Sequence, residues 1–98
     1  MNKLAQRLTQ EIEKFGDVTI ASKGNKIAFK HNARFAQIDL LGEEVNVEFI
    51  TPSLIKHTRL QEIKQLQPDK VSHKISITKD TEVDPQFLGW LRIAHATN

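Results

Sequence analysis

Four histidines, at positions 31, 57, 73 and 95, are the residues best suited to acid–base or metal chemistry. No two of them stand at the close helical or ribbon spacing that chelation uses, so their pattern offers no metal site. His73 alternates with Ile75 and Ile77 and is expected to point inward as a hydrogen-bonded histidine at the edge of the core. If the chain holds a small-ligand pocket, His73 and Trp90 are its candidate lining, although packing on the core face of a helix also accounts for Trp90. His31 is most simply a turn residue.

Nucleophilic chemistry finds no support either. Ser22, Ser53, Ser72 and Ser76 lack the strand-to-helix elbow of a catalytic serine, and no glycine-rich loop is present to cradle phosphate. Asp80, Glu82 and Asp84 alternate as calcium ligands do, but without the central glycine and terminal glutamate of a calcium loop. There is no cysteine, which removes thiolate catalysis, disulfides and cysteine-type zinc sites and fits a reducing compartment. The reading is a non-enzyme with no catalytic residue, no metal and no cofactor.

Charge is more informative. The chain is only mildly basic, at a formal +2, but the charges fall in blocks. Lys23, Lys26, Lys30 and Arg34 lie in a stretch without acids, and Asp39, Glu43, Glu44 and Glu48 follow in a stretch without cations. Lys26 and Lys30 share the outward face of a strand if Ile27 and Phe29 face the core, and a three-residue turn sets Arg34 beside Lys30. Lys3, Arg7 and Lys14 flank the apolar stripe of the first helix. A basic hairpin of this kind could neutralise phosphates without reading sequence. Only Phe35 is placed to stack on a base, where single-strand binders offer several platforms.

The elements that position these residues follow from periodicity. Leu4, Ala5, Leu8, Ile12 and Phe15 fall in one stripe at about 100° per residue, which predicts an N-terminal helix ended by Gly16. Strands are expected at about Val18–Ser22, Lys26–Lys30, Arg34–Leu40, Val45–Ile50 and Ser72–Thr78, with tight turns at Lys23-Gly24-Asn25, His31-Asn32 and Gly42-Glu43-Glu44. Between Pro52 and Pro68, Leu60, Ile63 and Leu66 fit a short helix in the second half, where Thr58 and Gln61 resemble a capping box. Asp84 and Pro85 open a last helix whose core face holds Phe87, Leu88, Trp90, Leu91, Ala94 and His95. The fold class is α+β: an N-terminal helix, a four- to five-stranded antiparallel meander and a C-terminal helix, with both helices on one sheet face.

The whole of residues 1–98 reads as a single domain. The start, Met1 to Arg7, is charged and amphipathic and no apolar run spans a bilayer, so a cytoplasmic location without a membrane partner is expected. The third strand departs from simple alternation. Phe35, Ala36, Ile38, Leu40 and Leu41 place apolar groups on both sides, which predicts a second cover, and a homodimer or protein partner contacting Phe35, Ile38 and Leu40 would supply it.

Two segments also carry a resemblance. Ile20-Ala21-Ser22-Lys23 through Ile27-Ala28-Phe29-Lys30 to Arg34-Phe35-Ala36 resembles the first half of a bacterial family, the domain of unknown function 5655. Ser72-His73-Lys74-Ile75-Ser76-Ile77, with Asp84 and Leu88-Gly89-Trp90-Leu91-Arg92, resembles its second half. Members often bear a transport-protein label, and the family has no agreed catalytic residues, so the resemblance implies a fold and no active site. The element order is more distantly similar to domains of the MmcQ/YjbR type, for which DNA binding has been proposed. The function expected is a binding module for protein association, including self-association. Nucleic-acid binding through the Lys23 to Arg34 hairpin is the alternative, and small-ligand binding a further one.

Overall fold

Leu4, Ala5, Leu8 and Ile12 turn one side of α1 (Lys3–Glu13) into the interior, as the stripe requires. The computed structural model describes residues 3–98, and Met1 and Asn2 of the amphipathic start lie outside the described residues. Gly16 ends the helical region at φ 81°, a left-handed conformation that costs a glycine nothing, and Phe15 and Gly16 donate back to the carbonyls of Ile12 and Glu13.

Six strands follow: β1 (Thr19–Lys23), β2 (Lys26–Lys30), β3 (Arg34–Leu41), β4 (Glu44–Thr51), β5 (Glu62–Gln67) and β6 (Lys70–Ile77). They form one antiparallel sheet in the order β1-β2-β3-β4-β6-β5, and α2 (Pro85–Thr97) closes the chain. The α+β class holds. The strand count does not, because the segment expected to be a short helix is β5.

The misreading of β5 has a physical cause. Leu60, Ile63 and Leu66 have helical spacing, but the strand is hydrogen-bonded on one side only and every residue from Gln61 to Asp69 is exposed. An edge strand with both faces wet carries no alternation to read. Its better signal is the Pro68-Asp69 pair, which makes the turn between Gln67 and Lys70.

The helix-side face of the sheet carries Ile27, Phe29, Ala36, Ile38, Val45, Val47, Phe49, Ile75 and Ile77, all packed with α1 and with Phe87, Leu91 and Ala94 of α2. The opposite face carries Lys26, Arg34, Gln37, Asp39, Asn46, Glu48 and Lys74, and no helix of the described residues covers it.

The third strand is the second correction. Lys30 pairs with Arg34 and Phe29 with Ala36, so Phe35 is the extra residue of a β-bulge. The bulge lets Phe35 and Ala36 both turn inward, and both have no exposure. Beyond it alternation resumes, with Ile38 buried, Leu40 packed against the core and Leu41 left outside. Phe35 meets the ring of His95 edge-on at 5.3 Å, and Ile38 is fully buried. The second cover inferred for this strand is thus a change of face within one chain, and Phe35 and Ile38 present no surface to a partner.

α2 begins as its sequence dictates. Asp84 accepts from the Phe87 N–H at 3.0 Å, and Pro85 takes the first turn. Its far end is tied to the β2–β3 turn: His31 Nδ1 donates to the His95 carbonyl at 2.9 Å, the two imidazoles stack at 4.2 Å, and the amides of Asn32 and Ala33 donate to the Asn98 carbonyl. His31 occupies the turn as expected and also fastens it to α2.

Candidate functional site

The basic hairpin forms, and two of its four cations are matched by acids. β2 sets Lys26 and Lys30 on the open face, and the three-residue turn puts Arg34 opposite Lys30. The same pairing brings the acidic block alongside. Lys26 Nζ lies 3.4 Å from Asp39, and Arg34 lies 3.0 Å from Glu48 and also reaches Gln37. Lys23 lies at the end of β1, opposite Lys26. Charges segregated in sequence are interleaved in space, because antiparallel pairing lays the acidic strands beside the basic one. Near the first helix, Arg7 pairs with Asp80 at 2.6 Å and Lys14, just past the end of α1, with Glu11 at 3.2 Å. Two of the four cations expected to form a basic ribbon, Lys26 and Arg34, thus face carboxylates across the strands.

His73 and Trp90 do lie together, on either side of one ring. The His73 imidazole stacks on Phe49 at 5.1 Å and 15°, and Phe49 in turn stacks against Trp90 at 6.0 Å and 15°. His73 has no solvent exposure. Its Nε2 accepts the Ile55 N–H at 3.0 Å, which assigns the proton of the neutral ring to Nδ1. Nδ1 has no partner in hydrogen-bond geometry, although the carbonyls of Phe49 and Val71 are near enough to favour a charged ring. Burial outweighs them and holds His73 below the ordinary histidine range. A histidine packed between a ring and a backbone amide lines no cleft. A groove of about 540 Å³ lies instead among Lys3, Leu4, Gly42, Glu43, Thr78 and Asp80, toward the Val45–Ile77 end of the sheet.

The segment after β4 owes its position to residues that sequence reasoning passed over. Arg59 Nη1 bonds both carboxylate oxygens of Asp84 at 3.0 Å, Nη2 donates to the Glu82 carbonyl at 2.7 Å, and the guanidinium lies 5.9 Å from the Trp90 ring centre. His57 meets the same indole edge-on at 5.3 Å. The acids once considered for calcium are therefore occupied. Asp80 holds Arg7, Asp84 caps α2 and holds Arg59, and Glu82 accepts from the Thr78 and Lys79 amides and the Thr78 hydroxyl. Among the described residues, no group of three or more His, Asp or Glu side chains could hold a metal ion.

Both sheet edges remain open: β1 is exposed at every residue, and so is β5. Ile63 is 44% and Leu66 42% exposed, and Leu54 of the preceding segment is 49% exposed. Half of the strand's backbone donors and acceptors face away from β6, as they must at any edge. Such an edge accepts another strand, a chemistry that needs no titrating group.

The sheet, with two helices on one side and both edges open, defines a small single-sheet α+β domain. The family model described as "Domain of unknown function (DUF5655)" matches residues 1–98, and the chain belongs to that family. No curated protein and no solved structure matches it, so neither the transport label nor the likeness to MmcQ/YjbR domains gains support. No helix of the described residues is long and apolar enough to cross a membrane.

Proposed function

We propose that the domain is a non-enzymatic association module that binds protein by strand addition at the β5 edge. The observation that carries this reading is the continuous exposure of Gln61 to Asp69, with Ile63 and Leu66 projecting from an edge strand. The contact moves from Phe35, Ile38 and Leu40, which serve the chain's own core, to the far side of the sheet. Nucleic-acid binding has less behind it, because Lys26 and Arg34 are each answered by a carboxylate. Small-ligand binding at His73 loses its support with the cleft. A cytoplasmic setting belongs to this reading and suits a chain without cysteine.

Selection of extended heptapeptides from a random display library tests it. Enriched peptides are expected to protect the Glu62–Gln67 amides from hydrogen exchange and to leave those of β1 unprotected. Peptides that bind without protecting β5, or a library that yields none, would overturn the proposal.

A further inference from the structure

The structure assigns the occupant of the β5 edge: a second copy of this chain, paired antiparallel through β5 about a two-fold axis at Ile63. The inference rests on the strand-addition reading above and goes beyond it by naming the partner and the register.

The strand is complementary to itself about Ile63. In Gln61-Glu62-Ile63-Lys64-Gln65, a two-fold centred on Ile63 sets Ile63 against the partner's Ile63, Gln61 against the partner's Gln65, and Glu62 against the partner's Lys64. The stretch Glu62 to Gln65 pairs regularly with Lys74 to Val71, and the strand's irregularity lies beyond it, between Gln65 and Gln67. Charge selects this register over its neighbours. Moving the two-fold to Glu62 places the two Glu62 side chains opposite each other, and moving it to Lys64 does the same with the two lysines.

The open face supplies a second, independent argument. Cross-strand pairing runs Glu48 to Lys74 and Lys74 to Glu62, a row of alternating sign that stops at the sheet edge. Lys74 Nζ lies 3.6 Å from the Glu62 carboxylate. The next position in the row calls for a cation, and the register about Ile63 puts the partner's Lys64 there. On the helix side, Ile63 stands opposite His73 and its exposed side chain gains a matching isoleucine. The other edge has no equivalent: within β1, Thr19 to Lys23, the sole charged residue is Lys23, so no self-register there is charge-matched. Edge charges normally deter pairing, and here they deter the registers on either side of the one about Ile63, the register in which Glu62 meets the partner's Lys64.

Sedimentation across a concentration series reads the proposal directly. The wild-type protein is expected to pass from monomer to dimer. Glu62→Lys sets lysine against the partner's Lys64 and Lys64→Glu sets glutamate against the partner's Glu62, so each variant alone raises the dissociation constant at least roughly tenfold. An equimolar mixture of the two variants restores the dimer, as does Glu62→Lys combined with Lys64→Glu in one chain. Both positions are exposed, and unchanged melting curves exclude misfolding. A wild-type monomer at its solubility limit overturns the inference, as do single variants that dimerise normally or a mixture that stays monomeric. If selected peptides still protect the β5 amides of a monomeric protein, the strand-addition reading survives and only the second copy is wrong. If β5 binds neither, both fail.

Discussion

His73 Nε2 accepts the Ile55 N–H at 3.0 Å, so the imidazole that alternation drives into the core also latches the segment between β4 and β5. The latch works only while the ring is neutral, because a protonated Nε2 has no lone pair to offer.

That requirement fixes a pH dependence. Burial holds the folded pKa of His73 below the ordinary value of 6.5. As pH falls through the ordinary value the unfolded chain takes up a proton that the folded chain refuses, so the contribution is full above that value and declines below it. Urea midpoints measured from pH 8 to pH 5 are expected to fall most steeply below about pH 6.5. His73→Leu should flatten this slope and cost about 1–3 kcal/mol at neutral pH by leaving the Ile55 N–H unsatisfied. An unchanged slope in that variant would assign the titration to another group.

A second acid-labile element lies at the start of α2. The Phe87 N–H and the Arg59 guanidinium hold Asp84 below its ordinary range, and the Thr78 and Lys79 amides do the same for Glu82. Both carboxylates stabilise the fold above the ordinary carboxylate range and lose that effect as pH falls through their depressed folded values. Asp84→Asn keeps a capping oxygen and removes the charge, which separates the ion pair from the cap. A double-mutant cycle with Arg59→Met should give a coupling of about 1 kcal/mol, since the pair is only part-buried. Trp90 fluorescence should change in Arg59→Met, because the guanidinium lies over that ring. A coupling near zero would make the fork an incidental surface contact.

Much of this architecture was legible in the sequence, and the failures have local causes. α1, α2 with its Asp84 cap and Pro85, and β2 are legible in the sequence because burial on one face imposes a period on them. β5 is not, because nothing buries it and Leu60, Ile63 and Leu66 happen to fall at helical spacing. Phe35 misled in a different way. A bulge breaks the period of two at one residue, and a strand with one bulge looks, from its sequence, apolar on both sides. The charge blocks were correctly located, but their meaning depended on pairing, which laid Asp39 against Lys26 and brought Glu48 to Arg34.

Charge matching on the open face predicts weak affinity for polyanions. On heparin the wild-type protein should elute below physiological salt, and Lys26→Glu with Lys30→Glu should change little. Removing the opposing acids is the more telling experiment. Asp39→Asn with Glu48→Gln frees Lys26 and Arg34 and should increase retention, with stability altered by less than about 1 kcal/mol. Strong retention of the wild type, lost in the lysine double variant, would restore the hairpin as a nucleic-acid site.

Phe35 and Ile63 separate core from contact. Phe35 has no exposure and meets the His95 ring, so Phe35→Ala should leave a cavity and cost about 3–5 kcal/mol, a large share of a small domain's stability. Ile63→Lys, at a site 44% exposed, should cost less than about 1 kcal/mol, because its side chain already stands at the wet edge of the sheet. Association should show the reverse order: with folded protein in each case, Phe35→Ala leaves the oligomeric state unchanged, whereas Ile63→Lys abolishes pairing by placing two lysines at the two-fold. Chemical denaturation and light scattering on the same samples read both quantities. If Phe35→Ala disrupts association while the domain stays folded, the bulged strand and not the edge is the contact. The distinction follows from where each ring or branch is already satisfied: Phe35 has its neighbours within one chain, and Ile63 lacks them on the side away from β6.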